Sequence, residues 1–290
     1  MQLLELRGKT QRADTAFRWI SVGAAAVVLV VLALVAITMT QRSLPVLDKM
    51  GLDFFTSSRW VEAEGSYGAL SFIFGTLYTA VIAIAIAVPI SFGVALFITQ
   101  VAPPWLKRPM VYVIDLLAVV PSVVFGLWGV LVLSQHFGLG RSFLTAGVIL
   151  AIMITPIITS LAREVIETTP TADKEGALAL GCTRWEMIQA TVWPHSKGGL
   201  VGAVMLGLGR AMGETIAVAL VIGSVSQITA NPFAAGNSMP AVIANEWGEA
   251  DDLHKSALIA LAVTLFVITI LVNLVATAIV QRSMKRSRGS

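Results

Sequence analysis

Six stretches of this 290-residue chain are apolar over roughly 20 residues or more, the length a helix needs to cross a hydrocarbon core of about 30 Å. They fall near 17–39, 69–99, 110–134, 143–162, 198–227 and 256–281. Inside a bilayer every backbone N–H and C=O must find its partner within the protein, so segments of this kind are expected to be helices. Composition agrees: 56% hydrophobic residues, 13% charged residues and a mean hydropathy of +0.83 leave too little polar surface for a soluble fold. The expected fold class is an all-α membrane protein, six transmembrane helices packed as one unit.

The first run is flanked by Arg7, Lys9, Arg12 and Arg18, but its apolar stretch is longer than a signal-peptide core and reads as a retained helix. With the N-terminus in the cytoplasm, the inside segments hold fourteen of the twenty Lys and Arg residues. Besides those four they are Lys107, Arg108, Arg163, Lys174, Arg184, Lys197, Arg282, Lys285, Arg286 and Arg288. The outside loops hold Arg42, Lys49, Arg59, Arg141 and Lys255 against eight acids, Asp48, Asp53, Glu62, Glu64, Glu246, Glu249, Asp251 and Asp252. Both termini are therefore expected to be cytoplasmic. The net charge of +3 is spread over span flanks rather than gathered in a patch with interleaved aromatics, which argues against a nucleic-acid partner. The expected organisation is a cytoplasmic segment 1–16, a membrane unit 17–281 containing a long inside loop 163–197, and a basic tail 282–290. A single cysteine, Cys182, excludes an intrachain disulfide, and His136, His195 and His254 are too scattered for a familiar zinc cluster. Trp19, Trp60, Tyr67, Trp105 and Trp247 near span ends read as interfacial anchors. Pro89, Pro121 and Pro156 lie inside spans and are expected to kink them.

The most specific signal lies in the inside loop. Thr171 is placed to cap a helix carrying Asp173 and Glu175 in its first turns, followed by Gly176, Ala177, Leu178, Ala179 and Leu180, and Gly181 stops it. Thr183 to Glu186 has the form of a capping box for a second helix, expected to end before Pro194. On periodicity alone such a hairpin is as much a surface hairpin packed on its own bundle as a docking element. Its small residues Gly176, Ala177 and Ala179 would let another protein's backbone come close.

Glu175, Gly176, Ala177, then Gly181 and Pro194 at this spacing resemble the EAA loop of ABC importer permeases, with Gly176, Thr191 and Trp193 departing mildly from the usual residues. The runs Gly75–Thr76–Leu77, Pro121 to Gly129, Leu206 to Thr215, and Pro240 to Ala250 are similar to phosphate-importer permeases of the PstC type, and the likeness covers roughly residues 15 to 285. The resemblance implies a type I importer permease fold in a bacterial inner membrane. It implies a heterodimer with a PstA-type sister permease, two copies of a cytoplasmic ATPase docked through Glu175, Gly176, Ala177 and Gly181, and an extracytoplasmic phosphate-binding protein. Inorganic phosphate is the implied cargo, with a permease for sulfate, molybdate or another oxyanion as the alternative. No Gly-x-x-x-x-Gly-Lys-Ser/Thr run occurs in the sequence, so ATP and magnesium are expected on the partner ATPase, with no cofactor bound by this chain.

Arg210 and Glu214 are four residues apart inside the fifth run, on one face if that run is a continuous helix. Arg210 would lie about 18 Å into the core, where an ionised group costs a few kcal/mol unless compensated. Either the two form a structural ion pair, or both face a polar path in which the guanidinium meets an oxyanion and Glu214 holds it. The resemblance favours the second. Gly207, Gly209 and Gly213 read as a close helix-packing stripe. A membrane-embedded enzyme lacks a nucleophile-base or His-Glu-x-x-His constellation here, and a secondary transporter would often show an internal repeat, which is not visible.

The charge split generates a direct test of orientation. Cysteines introduced near Lys107 and Arg184 are expected to resist an impermeant external reagent, and cysteines near Glu62 and Glu249 to react; labelling near Arg184 from outside contradicts the orientation.

Overall fold

The computed structural model describes residues 14–278 in full, with the first and last helices continuing to Gln2 and Arg288. Expectations placed on Arg7, Lys9, Arg12 and the tail 282–290 lie outside the described residues. The chain begins with α1 (Gln2–Met50) and the short α2 (Asp53–Thr56), then a small antiparallel hairpin of β1 (Trp60–Val61) and β2 (Ser66–Tyr67). Helix α3 (Leu70–Leu96) runs on through a π-helical stretch, Phe97–Val101, to α4 (Pro104–Val119). Next come α5 (Ser122–Trp128), continued by a π-helical Gly129–His136, and α6 (Phe143–Glu167). The inside loop forms α7 (Thr171–Ala179) and α8 (Arg184–Met187), the latter continued by a π-helical Ile188–Val192. Then follow α9 (Trp193–Gly213), α10 (Ile216–Val221), α11 (Met239–Glu246) and α12 (Asp252–Arg288).

Among the described residues, α1, α3, α6 and α12 are each long and apolar enough to cross a membrane alone, and α4 with the helix after it forms a further, bent pair. The expected all-α architecture holds, but two of the six runs are not single helices. The run 110–134 turns by 92° between α4 and α5. Pro121 is the cause: its ring disfavours the helical region for the preceding residue, and Val120 is extended at φ −61°, ψ 127°. The run 198–227 breaks after Gly213, where Glu214 is extended at ψ 127°; α10 adds fewer than two turns, and an irregular segment follows from Ile222 to Ser238. Pro89 and Pro156, by contrast, stay inside continuous helices.

Helix α6 is the central post: 61% of its apolar window is buried, against none of the window of α1, whose apolar surface is exposed along most of its length. A core of Ala83, Ala87, Leu150, Ile154, Ile158 and Ala203 binds α3, α6 and α9, and Val218, Val221 and Ala241 join α10 and α11 to it. The irregular segment is tied into this core through the start of α6. The N–H groups of Ser142, Phe143 and Leu144 donate to the carbonyls of Val221, Ala234 and Pro232, at 3.0, 3.0 and 2.7 Å, and Thr145 N–H donates to Ser142 Oγ. Donors that a helix start leaves orphaned and carbonyls that a broken span leaves orphaned thus satisfy each other.

At the end of the bundle that carries the β1–β2 hairpin, Trp60 and Tyr67 turn inward instead of acting as anchors. With Phe72 they enclose the buried His254, whose ring stacks on Tyr67 at 5.4 Å between centroids. His254 Nε2 lies 2.8 Å from Glu246 Oε2 and Nδ1 3.2 Å from Glu62 Oε1, and Trp60 Nε1–H donates to Glu246. This closes the segment after α1 on the segment between α11 and α12. Trp19, Trp105 and Trp247 are exposed, as anchors should be.

The glycine stripe also differs from expectation. A methyl group at Gly207 would strike Ile158, so Gly207 is a close-packing position, whereas Gly209 and Gly213 face open space and border an apolar cavity of about 510 Å³ between α1, α9 and α12. Close approach is tightest at Gly75, where a methyl group would overlap the carbonyl of Asn237, two residues before α11. Gly75→Ala is therefore expected to lower the thermal unfolding midpoint in detergent, by the roughly 1–3 kcal/mol of an overpacked core. Gly23→Ala, which meets nothing, should leave it unchanged; equal midpoints for the two variants would contradict this packing.

Candidate functional site

Two regions carry the residues singled out by sequence: the broken fifth span and the inside hairpin. Arg210 lies in the last turn of α9 and is exposed within the described chain. Its position matches the sign of the helix end, since the last carbonyls of α9 favour a cation. Glu214 follows the break, and its Oε1 accepts from Ala217 N–H at 3.4 Å, at the start of α10, where an acid is favoured. The break separates what a continuous helix would have placed on one face. Among the described residues no ion pair joins Arg210 to Glu214, so each charge is compensated by a helix end rather than by the other.

Arg210 instead borders an open cleft of about 700 Å³, whose other walls are Ile157 of α6, Gly202, Met205, Leu206 and Gly209 of α9, and Asn273 of α12. Asn273 is the polar group that sequence reading missed. The signal was present as an amide in the middle of the apolar run 256–281, but an uncharged side chain is cheap enough there to pass as incidental. The cleft offers a planar guanidinium and an amide on otherwise apolar and glycine walls, a setting that suits a small oxyanion.

The hairpin forms with two changes. Pro170, not Thr171, is the residue before α7, and no side chain caps that helix. Its end is a Schellman motif: Cys182 N–H donates to Ala177 O at 3.2 Å and Gly181 N–H to Leu178 O at 3.0 Å, with Gly181 at φ +87°. The capping box is complete, with Thr183 N–H and hydroxyl donating to Glu186 Oε2 and Glu186 N–H donating to Thr183 Oγ1. The second helix does not stop before Pro194. The π-helical turn 188–192 widens the backbone just ahead of the proline, and the helix enters α9 without interruption. Ala177 packs inward on the cluster of Met187, Ile188, Val192 and Leu200 with Ala162 and Ile166 of α6. Glu175, Gly176 and Gly181 remain on the surface with Leu180 and Trp185, the latter two 88% and 60% exposed. The outward face is thus a mix of glycine, apolar and acidic groups on a hairpin rooted in the bundle.

Continuous and broken apolar helices, a capped hairpin and an open cleft bordered by Arg210 make a bundle of the membrane-protein class. Residues 87–285 match the family described as binding-protein-dependent transport system inner membrane component, and the chain belongs to that family. It is 41% identical over 96% of its length to a phosphate transport system permease protein PstC of Xylella fastidiosa, spanning 94% of that protein. It is 40% identical over 91% of its length to the protein of the same description from Haemophilus influenzae, spanning 92% of it. The fold is similar to a chain of the inward-facing MetNI methionine ABC transporter, with a TM-score of 0.61 and 16% identity, covering 73% of this chain and 94% of that one. The chain is therefore a multi-pass permease subunit of the type I ABC importer fold.

The capping box yields a pH test. Glu186 is held below its ordinary value of 4.5, first by the Thr183 backbone N–H and second by the Thr183 hydroxyl. A lowered carboxylate pKa contributes stability that is complete above the ordinary value and lost as pH falls through the folded one. Amide exchange at Glu186 and Met187 is expected to be independent of this carboxyl from neutral pH down to about the ordinary value of 4.5, and to gain an extra acceleration as pH falls from there through the lower folded value. The Glu186→Gln variant should lack that acceleration; an identical acid response in both would contradict the box.

Proposed function

We propose that this chain is the phosphate-conducting permease subunit of an ATP-driven importer and that Arg210 meets the translocated anion in the cleft shared with Asn273. The observation that carries the reading is an arginine inside an apolar run that faces open space instead of the nearby Glu214. An ionised side chain at such a depth costs about 3 kcal/mol on insertion scales, a cost that an anion on the guanidinium offsets during transport. Glu214 acts as a positioning residue, holding the start of α10 and so the break that turns Arg210 into the cleft. The names borne by the PstC relatives support phosphate over sulfate or molybdate.

The same reading gives the chain a PstA-type sister permease, two ATPase copies that carry the ATP and magnesium, and an extracytoplasmic binding protein that delivers phosphate. Both chain ends face the cytoplasm, and no cofactor belongs to this subunit. The ATPase meets Glu175, Gly176 and Gly181 on the hairpin surface, while Ala177 holds the hairpin to the bundle. Gly181→Val places a β-branched residue at φ +87° and should release the ATPase while the two permeases stay paired.

Arg210→Lys keeps the charge and loses the planar fork, so uptake of labelled phosphate should fall clearly, and Arg210→Gln should abolish it with subunit abundance intact. Because the two charges are not paired, Arg210→Gln combined with Glu214→Gln should remain inactive. Recovery of uptake in that double variant would show a packing ion pair and overturn the proposal.

A further inference from the structure

The basic residues of the inside segments look scattered along the sequence, yet three of them converge. Lys107 and Arg108 in the first turns of α4 and Arg163 near the end of α6 line one cleft of about 570 Å³, together with Pro104, Val111 and Tyr112. Fifty-five residues separate Arg108 from Arg163 in the chain, so the cluster is a product of the fold. Lys107 is already engaged, its Nζ 2.8 Å from Glu167 Oε1. Arg108 and Arg163 have no carboxylate within ion-pair distance among the described residues. The start of α4 deepens the positive field instead of relieving it: the first turn holds no acid, and Pro103 supplies no side-chain cap. Of the other acids nearby in sequence, Glu164 and Asp115 are exposed and line no part of the cleft. Lys107 and Arg108 directly precede the run 110–134 and Arg163 directly follows the run 143–162, which sets the cleft at the membrane boundary.

We infer that this cleft is a phosphate-group site, in which the two guanidinium forks of Arg108 and Arg163 grip the non-bridging oxygens. The exposed Tyr112 supplies a hydroxyl donor at the rim. Two sources carry that group to this boundary: the phosphodiester of an anionic lipid headgroup, and free orthophosphate. A basic pocket between spans at the boundary fits either. The site is separate from the Arg210 cleft, with which it shares no lining residue.

The full chain carrying Arg210→Gln, so that the other cleft cannot contribute, is reconstituted in nanodiscs of phosphatidylcholine alone or with phosphatidylglycerol. Bound lipid is read by native mass spectrometry and bound orthophosphate by equilibrium dialysis. Adding Arg108→Gln with Arg163→Gln is expected to weaken retention of one of the two ligands by roughly tenfold or more, and Arg108→Lys with Arg163→Lys by less, since charge remains without the fork. Arg18→Gln, a basic flank outside the cleft, should change nothing. Selective loss of phosphatidylglycerol assigns the lipid source and selective loss of orthophosphate the soluble one. If the paired glutamine variant, with wild-type helical content, binds both as the parent does, the cleft is no phosphate site.

Discussion

A carbonyl or N–H left unpaired in hydrocarbon costs several kcal/mol, and this cost decides where the chain can interrupt a helix. The interruptions fall at Pro121 and at Glu214–Thr215, and in the second case the freed backbone is taken up by protein. The carbonyls of Val221, Pro232 and Ala234 receive the first donors of α6, the most buried span, so the irregular stretch after α10 is anchored to the centre of the bundle. That arrangement leaves α9 free to end early. Its ending determines the electrostatics of the site, because Arg210 and Glu214 then stand at opposite-signed helix ends.

The hairpin and the cleft are mechanically continuous. From Arg184 to Gly213 the backbone stays helical, through α8, a π-helical turn and α9, and Pro194 is absorbed rather than used as a stop. The root of this rod is packed, with Met187, Ile188 and Val192 set among residues of α3 and α6, while the hairpin tip around Leu180 projects outward. Continuous helical backbone thus links the root of the hairpin, from Arg184 on, to the turn that carries Arg210. On the proposed reading, this is the path by which an ATPase docked on the hairpin would act on the cleft.

Apolar periodicity and turn chemistry were legible from the residues alone. The six runs, the Thr183–Glu186 box and the Gly181 stop follow from hydropathy and backbone sterics acting within a few residues. What was not legible depends on distant contacts. Gly213 stands at the break before Glu214, but Gly199, Gly202, Gly207 and Gly209 stand in the same run within a continuous helix, so the letters alone do not single it out; the segment after α10 finds its partners at Ser142 to Leu144. Without the break, a spacing of four residues puts both charges on one helix face. Asn273 lines the same cleft as Arg210, Ala177 turns inward, and Trp60 and Tyr67 enclose His254, each through packing between elements far apart in the chain. Gly207 and Gly209 are indistinguishable as letters, yet Ile158 stands against one and a cavity against the other.

The central claim is that phosphate passes the cleft between Arg210 and Asn273, and occupancy of that cleft is measurable. With Cys182 replaced by serine and Leu206, on the cleft wall, replaced by cysteine, the assembled importer is exposed to a small thiol reagent during turnover, with and without phosphate. Phosphate should slow labelling at position 206, and the protection should vanish when Arg210 is glutamine. Equal labelling rates with and without phosphate, in an importer that is transporting, would contradict the account.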